Sequence, residues 1–246
     1  MNTTLTLLAA GSLRRAFIPL QSLFTAKTGI PVELVFGPAG LLRERIEGGA
    51  TCSLFASANR QHPQTLCDSG RAHGLRLFAR NSLILTVRNT PKTADKSWLE
   101  LLSDPSLRLG TSTPLCDPSG DYTWQLFAQL EAGFPGLGES LKRRAMPLVG
   151  GRDSLTVPAG EMASSWLIRE VLADLFIGYA HYATALQGEQ DVRSVVIPAE
   201  WNICCDYYMA MLDDSAVARQ FYRFILADEG QRCLRDAGFM LASDAE

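Results

Sequence analysis

Short apolar runs alternate with amphipathic helical stretches along this chain, and that alternation restricts the fold more than any other feature. Residues 4–10 form an apolar run, and Leu13, Phe17, Leu20 and Phe24 then recur at helical spacing. Ser12 is the expected N-cap of that helix and Gly29 its C-terminal stop. Residues 30–36 are β-branched and alternating, which predicts a second strand. Gly37-Pro38-Ala39-Gly40 leads into a helix over 41–46, stopped at Gly48-Gly49. A strand at 53–57 and a helix at 63–69, stopped at Gly70, complete a βαβαβα series. Such a series predicts an α/β fold with mixed, mainly parallel sheets and helices on both faces.

The apolar run at 75–87 is too long for one ordinary strand, so it is expected to leave a first lobe and enter a second. There the rhythm restarts: helix 98–102, strand 108–111, the turn Asp117-Pro118-Ser119-Gly120 and a helix to 132. Strand 145–149, helix 161–172 and strand 175–179 follow. Strands at 192–197 and 207–212 are expected to return to the first lobe, before helices at 214–227 and 229–237. The expected division is 1–80 plus 194–246 for lobe 1 and 81–193 for lobe 2, with a ligand cleft between them.

Composition removes several classes. Of 246 residues, 47% are hydrophobic and 20% charged, which excludes a disordered chain. A net charge of −3 and a pI near 5.7 argue against a nucleic-acid partner. Arg14-Arg15 and Lys142-Arg143-Arg144 are expected to be solvated surface. No run reaches the ~20 apolar residues that span a bilayer. The first ten residues lack the positive start of a leader, so a buried strand is expected there. On that reading the protein is periplasmic if a leader was removed and cytoplasmic otherwise. The six cysteines show no C-x-x-C pair and no zinc spacing, and are expected to be buried free thiols. There is no Gly-x-Ser-x-Gly elbow and no phosphate-binding Gly-Lys loop. Gly133, Gly136 and Gly138 have the wrong spacing for a dinucleotide turn, and His62, His73 and His181 stand beside no nucleophile motif. No catalytic residue, cofactor or metal ligand is assigned, and the chain reads as a non-enzyme and a monomer.

In open α/β sheets, ligands bind beyond the carboxyl ends of strands, where helix N-termini present amides and a positive dipole end. Ala10-Gly11-Ser12, Gly37-Pro38-Ala39-Gly40 and Asp117-Pro118-Ser119-Gly120 are three such turns, all small and flexible. They suit an anion.

Ala9-Ala10-Gly11-Ser12-Leu13, Gly29-Ile30-Pro31-Val32 and the run from Leu42 to Ala50 resemble the periplasmic molybdate-binding proteins of ABC importers. So do Phe55-Ala56-Ser57-Ala58, Asn81-Ser82-Leu83, Pro118-Ser119-Gly120-Asp121-Tyr122 and the segment 230–239. The resemblance implies the two-lobed type II periplasmic binding fold, a tetrahedral dianion held without a metal, and a membrane permease as partner. It implies ligand donors at Gly11 and Ser12 (hydroxyl and N–H), Ala39 and Gly40 (N–H only, where relatives carry a serine at 39), Ser119 and Gly120 (N–H) and Tyr179 (hydroxyl). A further N–H falls at Glu161 or Met162, after an apparent insertion at 150–159. Ala39 removes one donor, and Asp117, Asp121 and Glu161 would repel a dianion unless turned away. A different small anion is therefore one alternative, and a ligand-sensing effector domain related to LysR-type regulators another.

Overall fold

The computed structural model describes residues 5–242, and the chain divides into two units. One runs to Asn81 and resumes at Cys205, and the other spans Ser82–Cys204.

The first unit opens with β1 (Leu5–Ala10), α1 (Arg14–Thr28), β2 (Val32–Gly37), α2 (Ala39–Glu47), β3 (Leu54–Ser57), α3 (Gln61–Asp68) and β4 (His73–Asn81). Residue 4 of the expected first strand lies outside the described residues. Phe17, Leu20 and Phe24 are fully buried on α1, as their spacing requires. Gly29 takes the left-handed C-cap at φ 69°, its N–H on the Thr25 carbonyl. Ser12 is not the N-cap. It sits in a 3₁₀ turn, Gly11–Leu13, and α1 starts at Arg14 with no side-chain cap.

The long apolar run breaks at Ser82 into β4 and β5 (Leu83–Arg88), one strand in each unit. The second unit continues with α4 (Trp98–Ser103), β6 (Leu109–Ser112), α5 (Pro118–Gly133), α6 (Leu137–Arg144), β7 (Met146–Val149), α7 (Ala163–Arg169), β8 (Leu175–Tyr179), α8 (Ala183–Leu186) and β9 (Val192–Val196). Its sheet order is β7-β6-β8-β5-β9, with β6 parallel to both neighbours and β5 antiparallel to both of its own. Helix α6 was not foreseen. Glu131 caps it, accepting from the amides of Gly136 at 2.7 Å and Glu139 at 2.9 Å. Gly138 lets it lie directly on α5. Arg144 is not solvated surface either: it donates to the carbonyls of Leu102, Asp104 and Leu107.

The chain then returns through β10 (Cys205–Met211), α9 (Ala216–Leu226), α10 (Asp228–Asp236) and β11 (Met240–Leu241). The sheet order is β11-β4-β10-β3-β1-β2, parallel across β2-β1-β3 and antiparallel elsewhere. Both sheets are mixed, as expected, with β5 and β10 running against their neighbours. The strand expected to return at 192–197 stays in the second unit, where β9 pairs with β5. Asn202 fixes that arrangement, its amide side chain accepting from the Leu83 N–H at 3.0 Å and donating to the Leu83 carbonyl at 2.8 Å. Trp201 packs on Phe134 with ring centroids 4.8 Å apart. Residues 194–204 therefore belong with 82–193.

β3, β6 and β8 are buried along their whole lengths, so helices cover both faces of each sheet. Of the six cysteines only Cys205 is fully buried, and all six are free thiols. No helix among the described residues is long and apolar enough to cross a membrane.

A Cβ at Gly138 would lie 2.1 Å from the Phe127 carbonyl oxygen, a backbone atom that cannot step aside. Gly138→Ala is expected to cost about 1–3 kcal/mol, read as a lower urea midpoint at unchanged m-value. An unchanged midpoint would mean that α6 does not lie so close to α5.

Candidate functional site

In the first unit, the register pairs Ala10 with Gly37 and Ala9 with Ala56. The carboxyl ends of β1, β2 and β3 therefore align, and Gly11-Ser12, Pro38-Ala39-Gly40 and Ser57-Ala58-Asn59 emerge along one sheet edge. Ala39 and Gly40 are buried in the first turn of α2. Pro38, its N-cap, has no side-chain acceptor, and the first turn holds no acid. The Gly11–Leu13 turn is likewise uncapped and free of acid. Helical geometry leaves first-turn amides without intrahelical acceptors, so these face outward as donors.

Ser12 is nearly buried, and the Tyr207 hydroxyl donates to its Oγ at 3.0 Å. Tyr207 is fully enclosed, edge-on to Phe78 and Phe239. Because the Tyr207 proton occupies one lone pair of Ser12, the hydrogen of Ser12 is free to be donated elsewhere. No sequence signal linked these two residues. Ser57 and Asn59 serve the fold: Ser57 Oγ donates to Asn59 Oδ1 at 3.0 Å, and that oxygen accepts from the His62 amide at 3.1 Å, capping α3. Burial, aided by the Arg43 charge, pushes the His62 imidazole down to about 4. It is neutral near pH 7.

In the second unit, Ser112 pairs with Val149 and Gly110 with Phe176. The carboxyl ends of β6, β7 and β8 align, bringing Thr113, Gly150-Gly151 and buried Tyr179 to one edge. An open cavity of about 340 Å³ there is lined by Thr113, Cys116, Gly151, Arg152 and Ser154 among others. Ser119 and Gly120 are buried in the first turn of α5. A Cβ at Gly120 would stand 2.5 Å from the Pro114 nitrogen, so only glycine fits. The Ser119 N–H, however, already donates to Asp117 Oδ1 at 3.2 Å. Asp117 packs against Gly150, and burial pushes its carboxyl up to about 6. Asp121 accepts from the Leu115 amide at 2.8 Å, and burial raises it as well. The Glu161 carboxylate pairs with Arg169, and its amide donates to the Pro158 carbonyl at 3.1 Å. That leaves Met162, the N-cap position of α7, as the one of the two that faces a helix start.

Caps sort the helices. Ser97, Asp117 and Ser215 cap α4, α5 and α9. Asn59 and Glu131 serve α3 and α6, and α10 carries Asp228 and Glu229 in its first turn. Among the described residues, four starts have neither a side-chain cap nor an acid: the Gly11–Leu13 turn into α1, α2, α7, and the Ala180–Tyr182 turn into α8. Those four stand at Ser12, Ala39, Met162 and Tyr179. Of the expected donor positions, Ser119, Gly120 and Glu161 have their amides taken within the chain, by the Asp117 side chain, the Asp117 carbonyl and the Pro158 carbonyl.

Residues 5–240 match the family of bacterial extracellular solute-binding proteins. An uncharacterized protein of Pasteurella multocida is 43% identical over 240 residues, spanning 96% of this chain and 98% of its own. The molybdate-binding protein ModA of Mycobacterium bovis is 24% identical over 241 residues, covering 94% of this chain and 82% of that one. In fold, the periplasmic molybdate-binding protein of Azotobacter vinelandii aligns with a TM-score of 0.76 at 20% identity, over 96% of this chain and 99% of that one.

Asp117 supplies a pH signature. Above about pH 6.5 its carboxyl is ionised in both states and carries its burial penalty only when folded. Between about 6 and 4 the folded chain takes up the proton first, so stability rises as pH falls through that window. Asp117→Asn keeps an oxygen for the Ser119 amide but cannot titrate. Acidification from pH 6.5 to 4 should therefore stabilise the wild type relative to this variant, measured by urea denaturation. A constant difference across the window would show that Asp117 titrates like an exposed carboxylate.

Proposed function

This chain belongs to the bacterial extracellular solute-binding proteins, and on that premise we propose that it captures a small tetrahedral oxyanion, molybdate or tungstate foremost, for a membrane ABC permease. The observation that carries the reading is the coincidence of uncapped, acid-free helix starts with the carboxyl ends of the sheets. Every other helix start among the described residues is served by a side-chain oxygen or an acid from its own chain. An anion supplies the missing acceptor oxygens.

Gly11, Ser12, Ala39 and Gly40 are the donors of the first unit. The Met162 region and the Tyr179 hydroxyl are the corresponding donors of the second unit. Ser119 and Gly120 contribute less than the family resemblance implies, because Asp117 holds the Ser119 amide. Uncharged donors suit a dianion that must later be released: several dipoles balance its charge without a fixed counter-ion. Members of the family act outside the cytoplasm, and we place this one in the periplasm, binding without chemical change to the ligand. With Ala39 where relatives carry serine, one hydroxyl is missing, which weakens capture of an oxyanion by about one to two orders of magnitude.

Thermal melting with molybdate, tungstate, sulfate, phosphate and chromate tests the reading. At least one is expected to raise the melting temperature, and a flat response to all five contradicts it. With the best ligand, Ser12→Ala and Tyr179→Phe should each cost about tenfold in affinity by calorimetry, and Ala39→Ser should improve it. Tyr207→Phe should weaken binding several-fold in the wild type but have no further effect beside Ser12→Ala, since its hydroxyl acts through that serine. Additive losses in the double variant would show that Tyr207 does not act through Ser12.

A further inference from the structure

Arg14 is the first residue of α1, two positions beyond Ser12, and its guanidinium carbon lies 4.4 Å from the centroid of the Phe36 ring. Arg60 follows Asn59 at the start of α3, with its guanidinium carbon 5.7 Å from the centroid of Tyr208. Gln64 Oε1 accepts from Arg60 Nε and Nη2 at 3.4 and 3.3 Å. Phe36 pairs with Ala9, and Tyr208 with Ser57. Both rings therefore stand at the edge where Ser12, Ala39 and Gly40 emerge. They belong to β2 and β10, the strands flanking β1 and β3. A strand spacing of about 4.8 Å sets β2 about 5 Å to one side of β1 and β10 about 10 Å to the other.

An arginine without a carboxylate partner ordinarily sweeps through solvent. Stacking on a ring holds the planar cation still and leaves its N–H edges open. Neither Arg14 nor Arg60 has a carboxylate within ion-pair distance among the described residues, whereas Arg80, Arg88, Arg108, Arg169 and Arg219 all do. Asp206, the acid at that end of β10, is paired with Arg80 at 3.0 Å. Glu44 lies farther along, more than one turn into α2.

We propose that Arg14 and Arg60 form a fixed cationic collar that steers doubly charged anions onto the amides at this edge. The proposal rests on the oxyanion reading above and adds the charge selection that neutral donors alone do not provide. One positive charge about 10 Å from a dianion in water raises its local concentration about fourfold. At 0.15 M salt, screening cuts that to about 1.5-fold. The collar's signature is therefore an affinity that falls with ionic strength.

The test measures the affinity for sodium molybdate, or for the tightest of the five anions, by calorimetry at about 10 mM and 150 mM ionic strength. Arg14→Gln/Arg60→Gln should lose about tenfold at low salt and about twofold at high salt. Arg14→Lys/Arg60→Lys, which keeps both charges, should recover most of the loss. Arg71→Gln, an equal charge change on the segment between α3 and β4 at the opposite edge, should behave as wild type. Wild-type affinity and salt slope in the Gln pair would overturn the collar while leaving the oxyanion reading intact. A loss independent of salt would overturn it too, because direct packing would explain that better. A wild type that binds none of the five anions removes the underlying reading, and the collar with it.

Discussion

A helix that begins without an acceptor oxygen leaves peptide N–H groups unsatisfied, and this constraint organises the protein. Half of the ten α-helices among the described residues meet it from within the chain, through Ser97, Asn59, Asp117, Glu131 or Ser215. The starts at Gly11–Leu13, α2 and α7 have no such side-chain acceptor, and at Ala180–Tyr182 only the Ser82 carbonyl takes the first amide. Capping them with serine or aspartate would be the easy route to stability, worth roughly 0.5–2 kcal/mol each. Leaving them open gives up that stability and, on the proposed function, makes a place where an anion's oxygens would complete the structure.

The sheets make those open ends cooperate. Parallel pairing of β1 with β2 and β3 brings three strand ends level, so amides separated by about 30 to 45 residues in sequence share an edge. β10, arriving from the far end of the chain, inserts beside β3 and carries Tyr207 to Ser12. Placing a buried phenol behind a nearly buried serine fixes where that serine's proton points before any ligand arrives, and such preorganisation spares binding the cost of ordering it. The same strand presents Tyr208 as the platform for Arg60. In the proposed scheme this one returning strand would serve both short-range and long-range recognition.

Much of this was legible in the chain. The Leu13-Phe17-Leu20-Phe24 stripe, the Gly29 stop and the Gly37–Gly40 turn are local signals, and local structure follows them. What failed depends on partners distant in sequence. Ser12 looked like a cap because serine before an apolar stripe usually is one, yet its partner is a tyrosine 195 residues away. Arg144 read as solvated because nothing local shows the carbonyls it meets; Arg14 is exposed as expected, and only the ring beneath it was unforeseen. Residues 194–204 were assigned to the wrong unit because a short alternating strand does not say which edge it joins; Asn202 and Leu83 decide that. Ser119 seemed an open donor, and the neighbouring Asp117 that occupies it looked like a mere source of repulsion.

The central claim is that main-chain amides at uncapped helix starts hold the ligand, and amide-resolved NMR tests it most directly. Two-dimensional ¹H–¹⁵N spectra recorded during a molybdate titration should show the Gly11, Ser12, Ala39 and Gly40 resonances moving together along one saturation curve. The Glu100 amide, held by the Ser97 cap, should stay in place. If those four stay fixed while amides elsewhere shift, the anion binds by some other means and the account is wrong.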